Sequence, residues 1–160
     1  MRSLILGLGD RAGDIARVGL QVARELHAVL GDPDVDIIES PGADIDLFEL
    51  AAGYDKVVVV DSVRSGEGDV GELRKLGLGD LEMTVRSDLH DGHEYRAVLE
   101  RGDARGSKVP LEISIYAIEM GRSVRLTGES TEILSSVVPR LVKQIAREEF
   151  GAGSASGDWY

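Results

Sequence analysis

A run of four valines at residues 57–60, between Lys56 and Asp61, constrains the fold more than any other feature of the chain. β-Branched side chains favour strands. A strand that is apolar at every position must be covered on both faces, as it is in a parallel sheet packed between helices. We therefore expect this run to be a central strand.

The segments around the run alternate in character. Further strands are expected at residues 3–8, 35–38, 70–75 and 111–118. Helices are expected at residues 18–29, with Val18, Val22, Leu26 and Val29 on one face, and at residues 47–52, 89–100 and about 136–149. This order predicts an α/β fold, a three-layer sandwich with a twisted, mostly parallel sheet of about five strands flanked by helices.

The final helix has its own pattern, with Val138, Leu141, Val142 and Ile145 on one face. Ser135 or Ser136 is expected to cap its start, which places Pro139 in the first turn, where proline is tolerated. From Gly151 the chain is small and polar. We expect one domain over residues 1–150 and a disordered tail over residues 151–160.

Composition excludes several function classes. The chain has 160 residues, a net charge of −11 and no cysteine, so thiolate metal sites and cysteine nucleophiles are excluded. The negative charge argues against a nucleic-acid partner. No apolar run approaches the ~18 residues of a membrane span, and we expect a cytoplasmic protein.

Polar residues follow the expected strands, and ligands of open α/β sheets bind at the carboxyl ends of strands. The glycine-rich loop at residues 7–13 weakly resembles a dinucleotide fingerprint, with Glu39 as a ribose contact. Glycines required only by the turn explain the loop equally well. The carboxylates of Asp10 and Asp14 argue against a pyrophosphate there.

Asp61 and two histidines are the other candidates. Asp61 follows the valine run, where a carboxylate must be solvated, paired or metal-bound. Function and a structural cap are both open for Asp61. His90 and His93 are three residues apart and share one face of the expected helix, either as metal ligands or as solvent-exposed side chains.

The order and spacing of these segments resemble the hydrogenase maturation endopeptidases over residues 4–149. The matching segments are Gly7-Leu8-Gly9-Asp10, the helix start at residues 18–23, the valine run with Asp61-Ser62, Gly71-Glu72-Leu73, Asp88-Leu89-His90, the late strand at residues 115–119 and Leu134-Ser135.

The resemblance implies that an acid in the first loop, the aspartate after the valine strand and the histidine contact nickel held by the substrate. Asp61 and His90 match two of these positions, with His93 as a rival. The acidic pair of the family falls on Ile15 and Ala16 here, so the nearest acid, Asp14, is expected to supply the first contact.

The function implied is removal of the C-terminal extension from a nickel-loaded hydrogenase large-subunit precursor, which would supply the nickel. One alternative is a non-catalytic, chaperone-like relative that binds the precursor, because Ile15 and Ala16 cannot bind metal. The other is a small nucleotide-binding module, favoured only by the glycine loop.

Overall fold

A computed structural model describes residues 1–8, 17–40, 51–63, 68–76, 112–120 and 128–151. The strands in these ranges are β1 (Ser3–Leu8), β2 (Val35–Ser40), β3 (Lys56–Val63), β4 (Leu73–Leu76) and β5 (Glu112–Glu119). The helices are α1 (Arg17–Leu30) and α2 (Gly128–Phe150). Neither helix is both long enough and apolar enough to cross a membrane.

The five strands form one sheet in the order β2-β1-β3-β5-β4. β1 pairs in parallel with β2 and β3, and β3 pairs in parallel with β5. Only the edge strand β4 is antiparallel to its neighbour in this sheet. The expected α/β fold with a mostly parallel sheet is confirmed, and the valine run lies in the central strand β3.

Both faces of the sheet are buried. On one face, α1 and α2 cover Ile5, Val58, Val60, Tyr116 and Ile118. Burial on the opposite face extends to Leu4, Leu6, Val57, Val59 and Ile115. The expectation that the valine run is covered on both sides is therefore confirmed.

The start of the last helix was wrongly predicted. α2 has 23 residues and begins at Gly128, so Ser135 and Ser136 lie inside it and Pro139 is an interior residue. An interior proline removes a backbone hydrogen bond and costs about 3 kcal/mol. Pro139 is exposed, while the apolar face beginning at Val138 is buried. Packing of that face holds the helix together through the proline.

Smaller differences also have local causes. Val29 is 39% exposed, and Leu30 packs against the core in its place, because the buried face of α1 repeats every four residues from Val18. β4 begins at Leu73 rather than at residue 70, because Gly71 has a φ of 88°, which a strand residue does not adopt.

Several expectations fall on parts of the chain that are not described. The helix at residues 47–52 lies outside the described residues except at its end, where Ala51 is helical. The helix at residues 89–100 lies wholly outside them. Of the expected tail at residues 151–160, only Gly151 is described, and its φ of 63° fits the position after a helix end.

The last turn of α2 is held to the sheet by contacts of the buried carboxylate of Glu149. Glu149 accepts contacts from Lys56 Nζ at 3.0 Å and from Lys75 Nζ at 2.9 Å. Tyr116 donates its hydroxyl to Glu149 Oε1 at 2.8 Å. Burial alone would raise the pKa of Glu149, but hydrogen bonds from Lys75, Tyr116, Lys56 and Ser114 outweigh it and lower the pKa to about 2. We call these five residues the Glu149 cluster.

This cluster makes stability depend on pH. Because the folded-state pKa of Glu149 lies below its ordinary value of 4.5, its contribution is complete above pH 4.5 and is lost as pH falls toward 2. A shift of this size corresponds to on the order of 3 kcal/mol. Denaturant unfolding between pH 6 and pH 2 should show a decline that Glu149→Gln flattens. The control is Glu25→Gln on α1, and an equal decline in wild type and Glu149→Gln would contradict the assignment.

Candidate functional site

The strand order reverses between β1 and β3. After β1 the chain crosses through α1 to β2 on one side, and it then returns to β3 on the other side of β1. Ligands of open α/β sheets bind where the strand order reverses in this way. Residues at the ends of β1 and β3 are therefore the best-placed candidates for function.

Asp61 lies at this reversal. The last pair between β1 and β3 joins Gly7 to Val60, so Asp61 is the first residue of β3 beyond the pairing with β1. Its partner on the other side is Ala117 of β5. Its side chain is buried, with 1% exposed, and Oδ1 accepts a hydrogen bond from the Ser62 backbone N–H at 2.8 Å. Sequence analysis placed Asp61 after the strand, whereas β3 continues to Val63.

The first turn of α1 packs directly on this point. The Gly19 backbone N–H donates to Ser62 Oγ at 3.1 Å. A Cβ atom on Gly19 would lie 2.9 Å from the Leu8 carbonyl oxygen and 3.3 Å from the Asp61 Cα. Both neighbours are backbone atoms that cannot move away cheaply. The close approach therefore requires glycine, and it fixes the first turn of α1 against the carboxyl ends of β1 and β3.

The other predicted metal contacts, Asp14 and His90, lie outside the described residues, as does the rival His93. Among the residues that are described, no group of three or more histidine, aspartate or glutamate side chains can hold a metal ion. Asp61 is thus the predicted contact whose position is known, and the three-contact site stays a prediction.

Gly19, Ser62 and Glu119 lie in segments that match the family, but no role at this end of the sheet was predicted for them. Glu119 has no exposed surface and lies on the same sheet face as Asp61, two residues beyond Ala117 on β5. It pairs with Arg74 Nη2 at 3.0 Å. Two signals were available: Gly19 interrupts a helical pattern, which often marks close backbone approach, and the alternation of β5 places Glu119 and Ala117 on one face.

Glu39, considered above as a ribose contact, is bound by a neighbouring arginine. Arg24 of α1 donates both Nε and Nη2 to its carboxylate, the latter at 2.9 Å. These hydrogen bonds lower the pKa of Glu39. A nucleotide would have to displace a two-point ion pair at this position, which weakens the nucleotide-binding alternative.

Comparison with solved structures identifies the architecture. The chain is similar to the hydrogenase maturating endopeptidase HybD from E. coli, with a TM-score of 0.60, 15% identity, and coverage of 93% of this chain and 94% of that one. The chain has the fold of the hydrogenase maturation endopeptidases. The resemblance seen in the sequence is thereby confirmed in three dimensions.

Two archaeal structures extend the comparison with this endopeptidase fold. The [NiFe] hydrogenase maturation protease HybD from Thermococcus kodakarensis has a TM-score of 0.54 and 22% identity, and the match covers 91% of this chain and 99% of that one. The hydrogenase 2 maturation peptidase from Thaumarchaeota archaeon SCGC_AB-539-E09 has a TM-score of 0.53 and 25% identity with the same coverages. No protein-family model matches the sequence. The search of curated proteins gives no match either.

The packing of Gly19 predicts that replacing it by alanine lowers the free energy of unfolding, which is the opposite of the usual effect in a helix. A glycine-to-alanine change inside a helix ordinarily stabilises it by about 1 kcal/mol. Here Gly19→Ala should destabilise the protein by about 1–3 kcal/mol, because the added methyl group meets backbone atoms of β1 and β3. Denaturant unfolding measures the effect, with the exposed Gln21→Ala on α1 as control. Stabilisation by Gly19→Ala would show that α1 does not pack as described.

Proposed function

We propose that the protein is an endopeptidase that removes the C-terminal extension of a nickel-loaded hydrogenase large-subunit precursor. The observation that carries the proposal is the position of Asp61, a buried carboxylate at the strand-order reversal of an endopeptidase fold. The sequence resemblance aligns this aspartate with a nickel contact of the family. Fold and residue thus support the same role.

The chemistry of the donors fits a metal that belongs to the substrate. Asp61 offers carboxylate oxygen, and the predicted partners Asp14 and His90 would add a second carboxylate and an imidazole. Such ligands suit a divalent first-row metal. Because the chain has no cysteine, any thiolate bound to the nickel must come from the precursor. Three contacts from this protein leave coordination positions for those substrate ligands.

The rigid setting of Asp61 explains how a bound metal would contribute to cleavage. Asp61 is held in β3 by strand pairing, by the Ser62 backbone N–H and by the packing of Gly19 against its backbone. A nickel ion contacted by a fixed carboxylate would orient the precursor tail, and orientation is a large part of catalytic advantage. A precursor without nickel would lack this attachment and would be rejected.

A non-catalytic, chaperone-like relative is the second candidate. The feature favouring it is the pair Ile15 and Ala16, which stand where the family has acids and cannot bind metal. Such a protein would bind the same precursor through Asp61 and His90 and leave it uncut. Binding without cleavage distinguishes it from the endopeptidase.

We expect Asp61→Asn to abolish processing of the nickel-loaded precursor, because the amide lacks the charge of the carboxylate that contacts the metal. The shape of the side chain is kept, so the melting temperature should change little. Mass analysis of the precursor C-terminus measures processing, and the exposed Asp34→Asn is the matched control. Full activity of Asp61→Asn would show that the Asp61 carboxylate is not needed for processing.

The same assay tests the two contacts outside the described residues. Asp14→Asn and His90→Ala should each abolish processing, whereas His93→Ala should leave it intact. Inactivity of His93→Ala together with full activity of His90→Ala would mean that the histidines were assigned in the wrong order. Full activity of Asp14→Asn would mean that the first contact comes from another residue.

Cleavage should require nickel already inserted in the precursor. The donor set of two carboxylates and one imidazole is incomplete, so the isolated protein should bind nickel only weakly. The measurement compares nickel-loaded and nickel-free precursor under matched conditions, with calorimetric titration of nickel into the protein alone. Equal cutting of both precursors, or tight stoichiometric nickel binding by the free protein, would make the metal a cofactor of this protein.

A further inference from the structure

Arg74 of the edge strand β4 lies in the same row of the sheet as Asp61. Asp61 pairs with Ala117, and Ala117 pairs with Arg74, so the three residues occupy one register position on β3, β5 and β4. Their side chains belong to the same sheet face. Two strand spacings put the Cα atoms of Asp61 and Arg74 about 10 Å apart, the length of about three extended residues.

Glu119 directs the Arg74 side chain toward the carboxyl end of β5. The guanidinium Nη2 contacts Glu119 Oε1 at 3.0 Å, and Glu119 lies two residues beyond Ala117 along the strand. The carboxylate is fully buried, whereas 34% of the Arg74 side chain is exposed. A guanidinium anchored by a buried partner loses less conformational freedom when it binds a ligand.

The backbone around this pair is also fixed. The Gly71 N–H donates to the Glu119 carbonyl oxygen at 2.7 Å, and the Glu119 N–H donates to the Glu72 carbonyl oxygen at 2.9 Å. Gly71 itself packs against α2, since a Cβ atom there would lie 3.0 Å from Val137 Cγ1. Arg74 is therefore positioned by paired strands and a packed turn.

The local charges select the class of ligand. Among the described residues at this end of the sheet face, Asp61 and Glu119 supply two carboxyl groups beside the Arg74 guanidinium, and the whole chain has a net charge of −11. An added anion is disfavoured in such surroundings. Neutral carbonyl oxygens are suitable acceptors, and the planar guanidinium has five N–H donors to offer them.

We propose that Arg74, positioned by Glu119, binds backbone carbonyl oxygens of the precursor segment that lies at the edge strand β4, two strands away from Asp61. The inference rests on the proposed function and adds the residue that orients the peptide beside the metal. The contacted carbonyls would lie about three residues from the group held at Asp61, given the spacing of the strands. Glu119 acts as a positioning residue, because it holds the guanidinium and does not touch the peptide.

Steady-state processing of the nickel-loaded precursor tests this role. Loss of these hydrogen bonds in Arg74→Met should raise KM about tenfold. The value of kcat should stay within about twofold, because the contact is made equally in ground and transition states. Glu119→Gln should raise KM in the same direction. The control is Lys75→Met, which removes a positive charge from the same strand but on the opposite face, and it should leave KM unchanged.

Two further measurements keep the outcomes distinct. Arg74→Lys keeps the ion pair with Glu119 but loses the forked donors, so it should also raise KM. This variant tests the inference in case Arg74→Met does not fold. Calorimetric titration of the same precursor into the Arg74 variants should show a matching rise in Kd. This measurement applies even if the protein binds the precursor without cutting it. Unchanged KM and Kd in folded Arg74 variants overturn this inference alone. A wild-type protein that neither cuts nor binds the precursor overturns the proposed function and this inference together.

Discussion

The contact between the first turn of α1 and the backbone where β1 and β3 end is the constraint on which the rest of the site depends. Gly19 leaves no room for a side chain between the helix and the Leu8 carbonyl, and its N–H bonds to Ser62. The helix is thus held above the carboxyl ends of the two strands that flank the strand-order reversal. The Asp61 backbone lies against this contact, and its buried side chain belongs to the opposite face of the sheet, together with Ala117 and Glu119.

The charged groups at the two ends of the central strand have different roles. At the amino end, Lys56 joins the Glu149 cluster, which ties the last turn of α2 to the sheet. At the carboxyl end lie Asp61 and the neighbouring pair of Glu119 and Arg74. Both ends bury charged groups, and burial of charge is costly unless it is paired or bound. The charges at the amino end are paired within the protein and stabilise the fold, and at the carboxyl end Glu119 is paired with Arg74. We propose that Asp61 binds substrate.

Much of the fold could be predicted from short-range patterns, and the exceptions have physical reasons. Four consecutive valines require a strand covered on both faces, and β3 is such a strand. The start of α2 could not be predicted, because Pro139 is the locally expected marker of a first turn, whereas tertiary packing carries the helix through it. Asp61 could be singled out as a candidate because an acid that ends an apolar run is conspicuous. Glu119, Arg74 and Gly19 could not be singled out, because strand register and helix packing bring these residues close to Asp61 from distant parts of the chain.

We propose that nickel in the precursor binds to this protein at the carboxyl ends of β1 and β3. Anomalous diffraction at the nickel edge, from crystals of the protein in complex with the nickel-loaded precursor, locates the metal directly. Nickel is expected within coordination distance of an Asp61 carboxylate oxygen. Nickel in the complex at any other part of the surface, with Asp61 making no contact to metal, would contradict it.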